Sequence, residues 1–226
     1  MWALMEHGEI VPFARELWFR YFKKPFSDIP TNPNEILGRL EAEFMASSWN
    51  EVYDLVEAIF SIRQSTRLQS AINEVLKREL AGYRMITGHF IEVTAPEELA
   101  SLETALQADQ YAPVATHLRR ALELLADRNQ PDYRNSIKES ISAVESLARI
   151  LSGNNRATLG DALRVLETRG KLHTALRQGF SNLYGYTSDE GGIRHAMLEE
   201  PYLTSDDAKF FLVSCSAFVN YLKSQL

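Results

Sequence analysis

The sequence predicts a mainly helical protein with one small β-hairpin. Two observations carry this. Apolar residues recur at three- and four-residue intervals through most of the 226 residues, the spacing of a helix with one buried face. The single interruption by extended runs, Tyr83 to Val93, centres on Thr87-Gly88, a hairpin turn signal.

The first apolar stripe is Phe13, Leu17 and Tyr21, with Pro12 read as a first helical residue and Lys23-Lys24-Pro25 as the end. Asn32-Pro33 restarts the chain as a cap followed by proline, ahead of Ile36, Leu37, Leu40 and Phe44. Ser47-Ser48 interrupts, and Val52, Val56, Ile59 and Phe60 form a third stripe from Trp49 onward. The fourth contains Leu68, Ile72, Val75, Leu76 and Leu80, with Gly82 as its stop. The hairpin over about residues 84–93 follows; two strands alone are marginal in water, so it must pack on helices. Thr94 and Glu97 read as a capping box for the helix of Leu99, Leu102 and Leu106.

The polar run Gln107 to Pro113 is the best joint, dividing the chain into regions 1–110 and 111–226. Beyond it Val114, Leu118, Ala121, Leu122 and Leu125 share a face, with His117 and Arg119-Arg120 on the solvated side. Between Asp132 and Ser152, Tyr133, Ile137, Ile141, Val144, Ala148 and Leu151 form a stripe, widened by Ser136, Ser140, Ala143 and Leu147. Small residues in such a face allow close helix approach, and Arg134, Lys138 and Glu145 line its edge. Thr158 caps a short helix ending at Gly170, and Leu172, Leu176, Phe180 and Leu183 give another that runs to Gly185. Ser205-Asp206-Asp207 starts the last helix, whose residues Phe210 to Leu222 are apolar over more than half its circumference. Such a helix is buried on two sides, and a second copy of the chain is one source of the second side.

Composition narrows the function classes. A net charge of −6 and pI near 5.5 oppose broad nucleic-acid coating, so any RNA contact must be focal. The thirteen-residue charge-free run Phe210 to Leu222 is shorter than the roughly 18–20 residues that span a bilayer, and no basic-then-apolar signal opens the chain. A soluble, cytoplasmic protein with no membrane contact is expected. Cys215 reads as an inert buried thiol. One Cys and five scattered His give no metal-ligand spacing, and neither phosphate-loop nor dinucleotide glycine patterns occur, so no metal and no cofactor are expected.

The densest chemistry is Leu183 to Ala196, with two tyrosines, Asp189-Glu190, paired glycines and Arg194-His195. A His of near-neutral pKa can take the proton from a ribose 2′-hydroxyl, and an Arg can hold the phosphate as negative charge grows on it.

Asp132 to Glu145, the Thr158 to Leu163 start, Leu183 to Ala196 and Leu212 to Leu222 together resemble the HEPN-like C-terminal region of bacterial abortive-infection proteins, over Tyr111 to Leu226. Trp18-Phe19 through Pro25, Trp49 to Glu57 and Tyr83-Arg84 are similar to the AbiJ-type N-terminal domain, here in a shortened version. The resemblance implies a helical bundle that forms a homodimer and, for many relatives, a metal-independent endoribonuclease in antiviral defence. On that reading His195 and Arg194 are catalytic, Arg134, Lys138 and Tyr186 hold RNA, and Glu145, Asp189 and Glu190 support them. The sequence departs from the usual motif of an Arg four to six residues before a His: Arg194 and His195 are adjacent, about 100° apart on a helix, and Arg134 has Glu139 at the expected position. Either the site is assembled differently, with Arg134 or Glu145 from the neighbouring helix and His195 from each copy, or catalysis is lost. The alternative is a noncatalytic dimerisation or sensing module in which Asp189 or Glu190 pairs with Arg194, and an unknown protein partner is a third possibility.

Overall fold

The structure, a computed structural model, describes residues 7–93, 95–107, 110–188 and 203–225. Contacts divide the chain into two compact units, Met1–Glu92 and Val93–Leu226.

In the first unit α1 (His7–Leu17) continues into a π-helical turn (Trp18–Phe22), and a 3-10 turn (Phe26–Asp28) leads to α2 (Pro33–Ala46), α3 (Trp49–Arg63) and α4 (Thr66–Arg78). Ile10, Phe13, Ala14, Leu17 and Trp18 meet Ile36, Leu40, Leu55, Ile59 and Leu68 in one core. Pro12 lies inside α1, not at its start. It faces solvent on the side opposite the core, so the hydrogen bond it cannot donate is offset by burial of Ile10, Phe13 and Ala14. Asn32 caps α2 as expected, accepting from Asn34 N–H at 2.9 Å. Ser48 caps α3, donating its N–H and hydroxyl to the Glu51 carboxylate at 2.8 and 2.7 Å. These bonds, the hydroxyl first, hold Glu51 below its ordinary pKa.

Helix α4 stops before Leu80, which has φ +53 and is 89% exposed. The expected stripe therefore ends at Leu76. Periodicity counted Leu80 because its spacing is right, but nothing in the fold covers that position.

The hairpin is as expected. Strands β1 (Arg84–Ile86) and β2 (His89–Ile91) pair antiparallel with Met85 opposite Phe90, and Thr87 and Gly88 both have positive φ, the signature of a tight primed turn. Ile86 and His89 close the turn, so the polar groups of Met85 and Phe90 point outward from the ladder. Both find partners on helices: Asn73 Nδ2 donates to Met85 O at 2.8 Å, Met85 N–H donates to Asn73 Oδ1 at 2.7 Å, and Phe90 N–H donates to Glu57 Oε1 at 2.6 Å. A side chain on α4 and another on α3 thus take the place of neighbouring strands, which is how two strands persist without a larger sheet.

The second unit holds α5 (Pro96–Leu106), α6 (Ala112–Ala126), α7 (Tyr133–Ser152), α8 (Leu159–Thr168), α9 (Thr174–Ser188) and α10 (Ser205–Ser224). Helix α5 is capped by Ala95 with Pro96 as first residue; Thr94 lies outside the described residues. Helix α7 is the centre, packing on α6, α8 and α10, while α10 also packs on α5. The small residues of α7 serve the expected close approach: Ser136, Ser140 and Ala143 are fully buried. Ser136 Oγ donates to Ala121 O across the α6–α7 contact at 2.7 Å. Asn220 Nδ2 ties α10 to α5 by donating to Ser101 O at 2.8 Å.

Two boundaries differ from expectation. Helix α9 runs through Gly185 to Ser188, so the glycine is not its stop. The cap of α10 is Thr204, one residue earlier, reciprocally bonded with Asp207. On α10 the buried set includes Phe211, Leu212, Cys215, Phe218, Val219 and Leu222, whereas Phe210 is 54% exposed. No helix among the described residues is long and apolar enough to cross a membrane.

Candidate functional site

The edge of α7 carries three of the residues singled out by sequence. Arg134 is half-buried and Lys138 exposed, one turn apart near the N-terminal end. Neither makes an ion pair among the described residues. Glu145, by contrast, accepts from Arg149 Nη2 at 2.8 Å, one turn further along α7. Arg149 Nε donates to Ala157 O in the α7–α8 loop at 2.6 Å. Glu145 therefore orients an arginine that braces that loop, and it stands apart from Arg134 and Lys138 by two or more turns. Tyr186 falls in the last turn of α9, its side chain outside the described residues. Asp189, Glu190, Arg194 and His195 also lie outside them.

The structure adds a pair made of His117, which the sequence placed on a solvated face, and Glu139, which stands where the usual motif has its His. His117 of α6 sits with Nδ1 2.7 Å from Glu139 Oε2 of α7. A carboxylate at Nδ1 fixes the ring orientation and leaves Nε2 as the nitrogen available for exchange. His117 and Arg149 line a groove of about 450 Å³ between α6 and α7, together with Pro113, Ser142, Glu145, Ser146, Ile150 and Asn155. Ser142, Ser146 and Arg149 follow Glu139 at steps of three, four and three residues, one face of a helix. That polar face was the available signal, obscured because α7's other face is so regularly apolar. Chemically the groove offers hydrogen bonding and one oriented imidazole. Glu145 offsets Arg149 in its lining, so it is not built to concentrate anions.

Elsewhere, no group of three or more potential metal ligands occurs among the described residues. Cys215 is fully buried, and desolvation pushes its thiol well above the ordinary range. It is not a nucleophile in this fold.

Residues 8–108 match the family described as AbiJ N-terminal domain 4. That stretch is therefore similar to an AbiJ-type N-terminal domain. The match supports an abortive-infection, or defence, protein. The matched stretch runs from the second residue of α1 through α4 and the hairpin and includes α5, a helix that packs on α6 and α10 of the second unit. No curated protein and no solved structure matches the chain.

Proposed function

We propose that this AbiJ-like protein acts in antiviral defence by cleaving RNA without a metal ion, through a HEPN-like C-terminal bundle that pairs with a second copy. The carrying observation is the joining, in one chain, of an AbiJ N-terminal domain match to a separate helical unit. The sequence blocks that resemble HEPN-like proteins fall largely on the buried central helices α7 and α10 of that unit. His195 is the acid/base that takes the 2′-hydroxyl proton, and Arg194 holds the phosphate. On this reading the two copies share the site, one supplying the imidazole and the other the guanidinium to a single phosphate. Arg134 and Lys138 hold the backbone beside it, their charges uncommitted to any described carboxylate.

Incubation of the purified protein with tRNA or total RNA in EDTA tests this. Wild type is expected to cleave, and His195→Ala and Arg194→Ala each to be slower by about 10²–10⁴-fold. Intact RNA with all three proteins, across substrates, overturns the nuclease reading.

A second reading is a noncatalytic dimerisation or sensing module. It is favoured by Glu145, which belongs to an internal brace with Arg149 and Ala157. A dimer in sedimentation that binds but never cleaves RNA is its signature.

A further inference from the structure

The net charge of −6 hides a strong local excess of the opposite sign. From Arg149 to Arg177 the chain carries Arg149, Arg156, Arg164, Arg169, Lys171 and Arg177 against only Asp161 and Glu167. Both acids are already engaged: Asp161 accepts from Thr158 Oγ1 at 2.7 Å in the cap of α8, and Glu167 pairs with Arg177 at 2.6 Å. Arg149 is likewise matched by Glu145. Arg156, Arg164, Arg169 and Lys171 remain, all exposed and none in an ion pair among the described residues.

The fold brings two of these, Arg169 and Lys171, onto the ends of neighbouring helices. Arg169 donates to Leu151 O and Ser152 O at 3.0 and 3.1 Å, bringing the end of α8 onto the end of α7. Lys171 Nζ donates to Gln225 O at 2.7 Å, adding the end of α10. Arg156 sits in the loop joining α7 to α8 and Arg164 on the open face of α8. The C-terminal ends of α7, α8 and α10 therefore meet at one end of the second unit, and Arg169 and Lys171 donate to carbonyls at the ends of α7 and α10. Arg169 and Lys171 spend part of their charge on carbonyls, and Arg164 lies within electrostatic reach of Glu167, whose carboxylate already pairs with Arg177.

We propose that this Arg-rich end, with Arg156 and Arg164 as its principal contacts, is the docking surface for the phosphodiester backbone of RNA. Three of the four cations are arginines, whose planar fork fits phosphate oxygens two at a time. The surface is separate from Arg134 and Lys138, which lie toward the other end of α7, a helix of twenty residues and hence about 30 Å long. It rests on RNA as the substrate in the proposed function, and it places the backbone contact where that reading did not.

The test is fluorescence anisotropy with a labelled 2′-O-methyl RNA, which lacks the proton that cleavage requires, titrated at several salt concentrations. Wild type is compared with Arg156→Glu/Arg164→Glu, with Arg156→Gln/Arg164→Gln, and with Arg67→Glu/Lys77→Glu, an equal change of charge on exposed positions of α4. The charge-reversed pair is expected to bind about tenfold more weakly near 100 mM salt, and the glutamine pair to lower the salt slope by about 1.4, two single-strand phosphate contacts. The α4 pair is expected to bind within about twofold of wild type, since the docking surface puts no phosphate contact on that helix. Wild type that does not bind, or equal weakening in both charge-reversed pairs, overturns the proposal. So does wild type that binds phosphatidylserine vesicles and not RNA. Cleavage by wild type together with unaltered binding by the Arg156/Arg164 variants sinks this surface and leaves the nuclease reading standing; patch-dependent binding without cleavage does the reverse.

Discussion

Replacing Gly88 by alanine isolates the turn that holds the hairpin to the first unit. Gly88 has φ +92, and a Cβ built there lies 2.5 Å from Phe60 Cδ1 and 2.9 Å from Cε1. Two costs arise from one methyl group. Positive φ costs an L-residue about 1–2 kcal/mol, and forcing the Phe60 ring aside adds an overpacking cost of about 1–3 kcal/mol. Phe60 is half-buried, so the ring can yield toward solvent and the lower part of that combined range is expected. All three tryptophans, Trp2, Trp18 and Trp49, belong to the first unit, so their fluorescence in a urea titration reports this unit selectively. Gly88→Ala should lower its unfolding free energy by about 2–4 kcal/mol, with the slope against urea unchanged. Phe60→Leu provides the second arm, because a smaller side chain relieves the clash but not the backbone strain. In that background the same glycine substitution should cost only about 1–2 kcal/mol. A loss below about 0.5 kcal/mol in wild type, or an identical loss in both backgrounds, would refute the account of the turn.

Other expectations concern the second unit. Thr204→Ala should destabilise α10 by about 1 kcal/mol, the ordinary loss of an N-cap, read by circular dichroism in urea. Asp207 accepts from the Thr204 N–H and then its hydroxyl, which hold its carboxyl below the ordinary value of 3.8. The folded pKa is therefore depressed, so its contribution is complete above that value and lost as pH falls through the lowered one. The stability gap between wild type and Asp207→Asn should accordingly be present at about pH 6 and close below about pH 4; a gap that widens in acid would contradict the cap. Ser216 Oγ is buried without a hydrogen-bond partner among the described residues, so Ser216→Ala should be neutral or stabilise by up to about 1 kcal/mol in the same assay. Cys215 should resist a thiol reagent in the native protein and react only in denaturant; prompt native labelling would contradict its burial.

What could be read from the sequence was local. Thr87-Gly88 announces its turn because two residues needing positive φ stand between extended runs, and no distant partner is required. Asn32-Pro33 and Thr158 announce helix starts for the same reason. Pro12 and Leu80 misled in opposite directions. Proline is a first-turn residue on average, but an exposed one is tolerated deeper when three core residues surround it in sequence. Leu80 has the right spacing for a buried face, yet spacing does not say where a helix stops. Gly185 failed as a stop because glycine marks a helix end only where positive φ is used. The pairs His117–Glu139 and Glu145–Arg149 show two further limits. The first joins different helices, 22 residues apart, and depends on the register of α6 against α7. The second lies within α7 at a four-residue spacing, but spacing does not say that its arginine also reaches the carbonyl of Ala157 beyond the helix.

The attachment of α5 to α10 bears on how the protein can be taken apart. Leu102, Ala105 and Leu106 are buried, and Asn220 reaches Ser101 from α10. A fragment cut after residue 108, where the AbiJ-type match ends, would carry a helix stripped of its partners, with an apolar stripe open to water. A complementary fragment beginning at Tyr111 would leave the matching face of α10 equally bare. Both pieces would tend to aggregate. A cut near Glu92 keeps α5 with the bundle, and any exchange of this N-terminal region between related proteins would have to leave α5 behind to yield soluble chimeras.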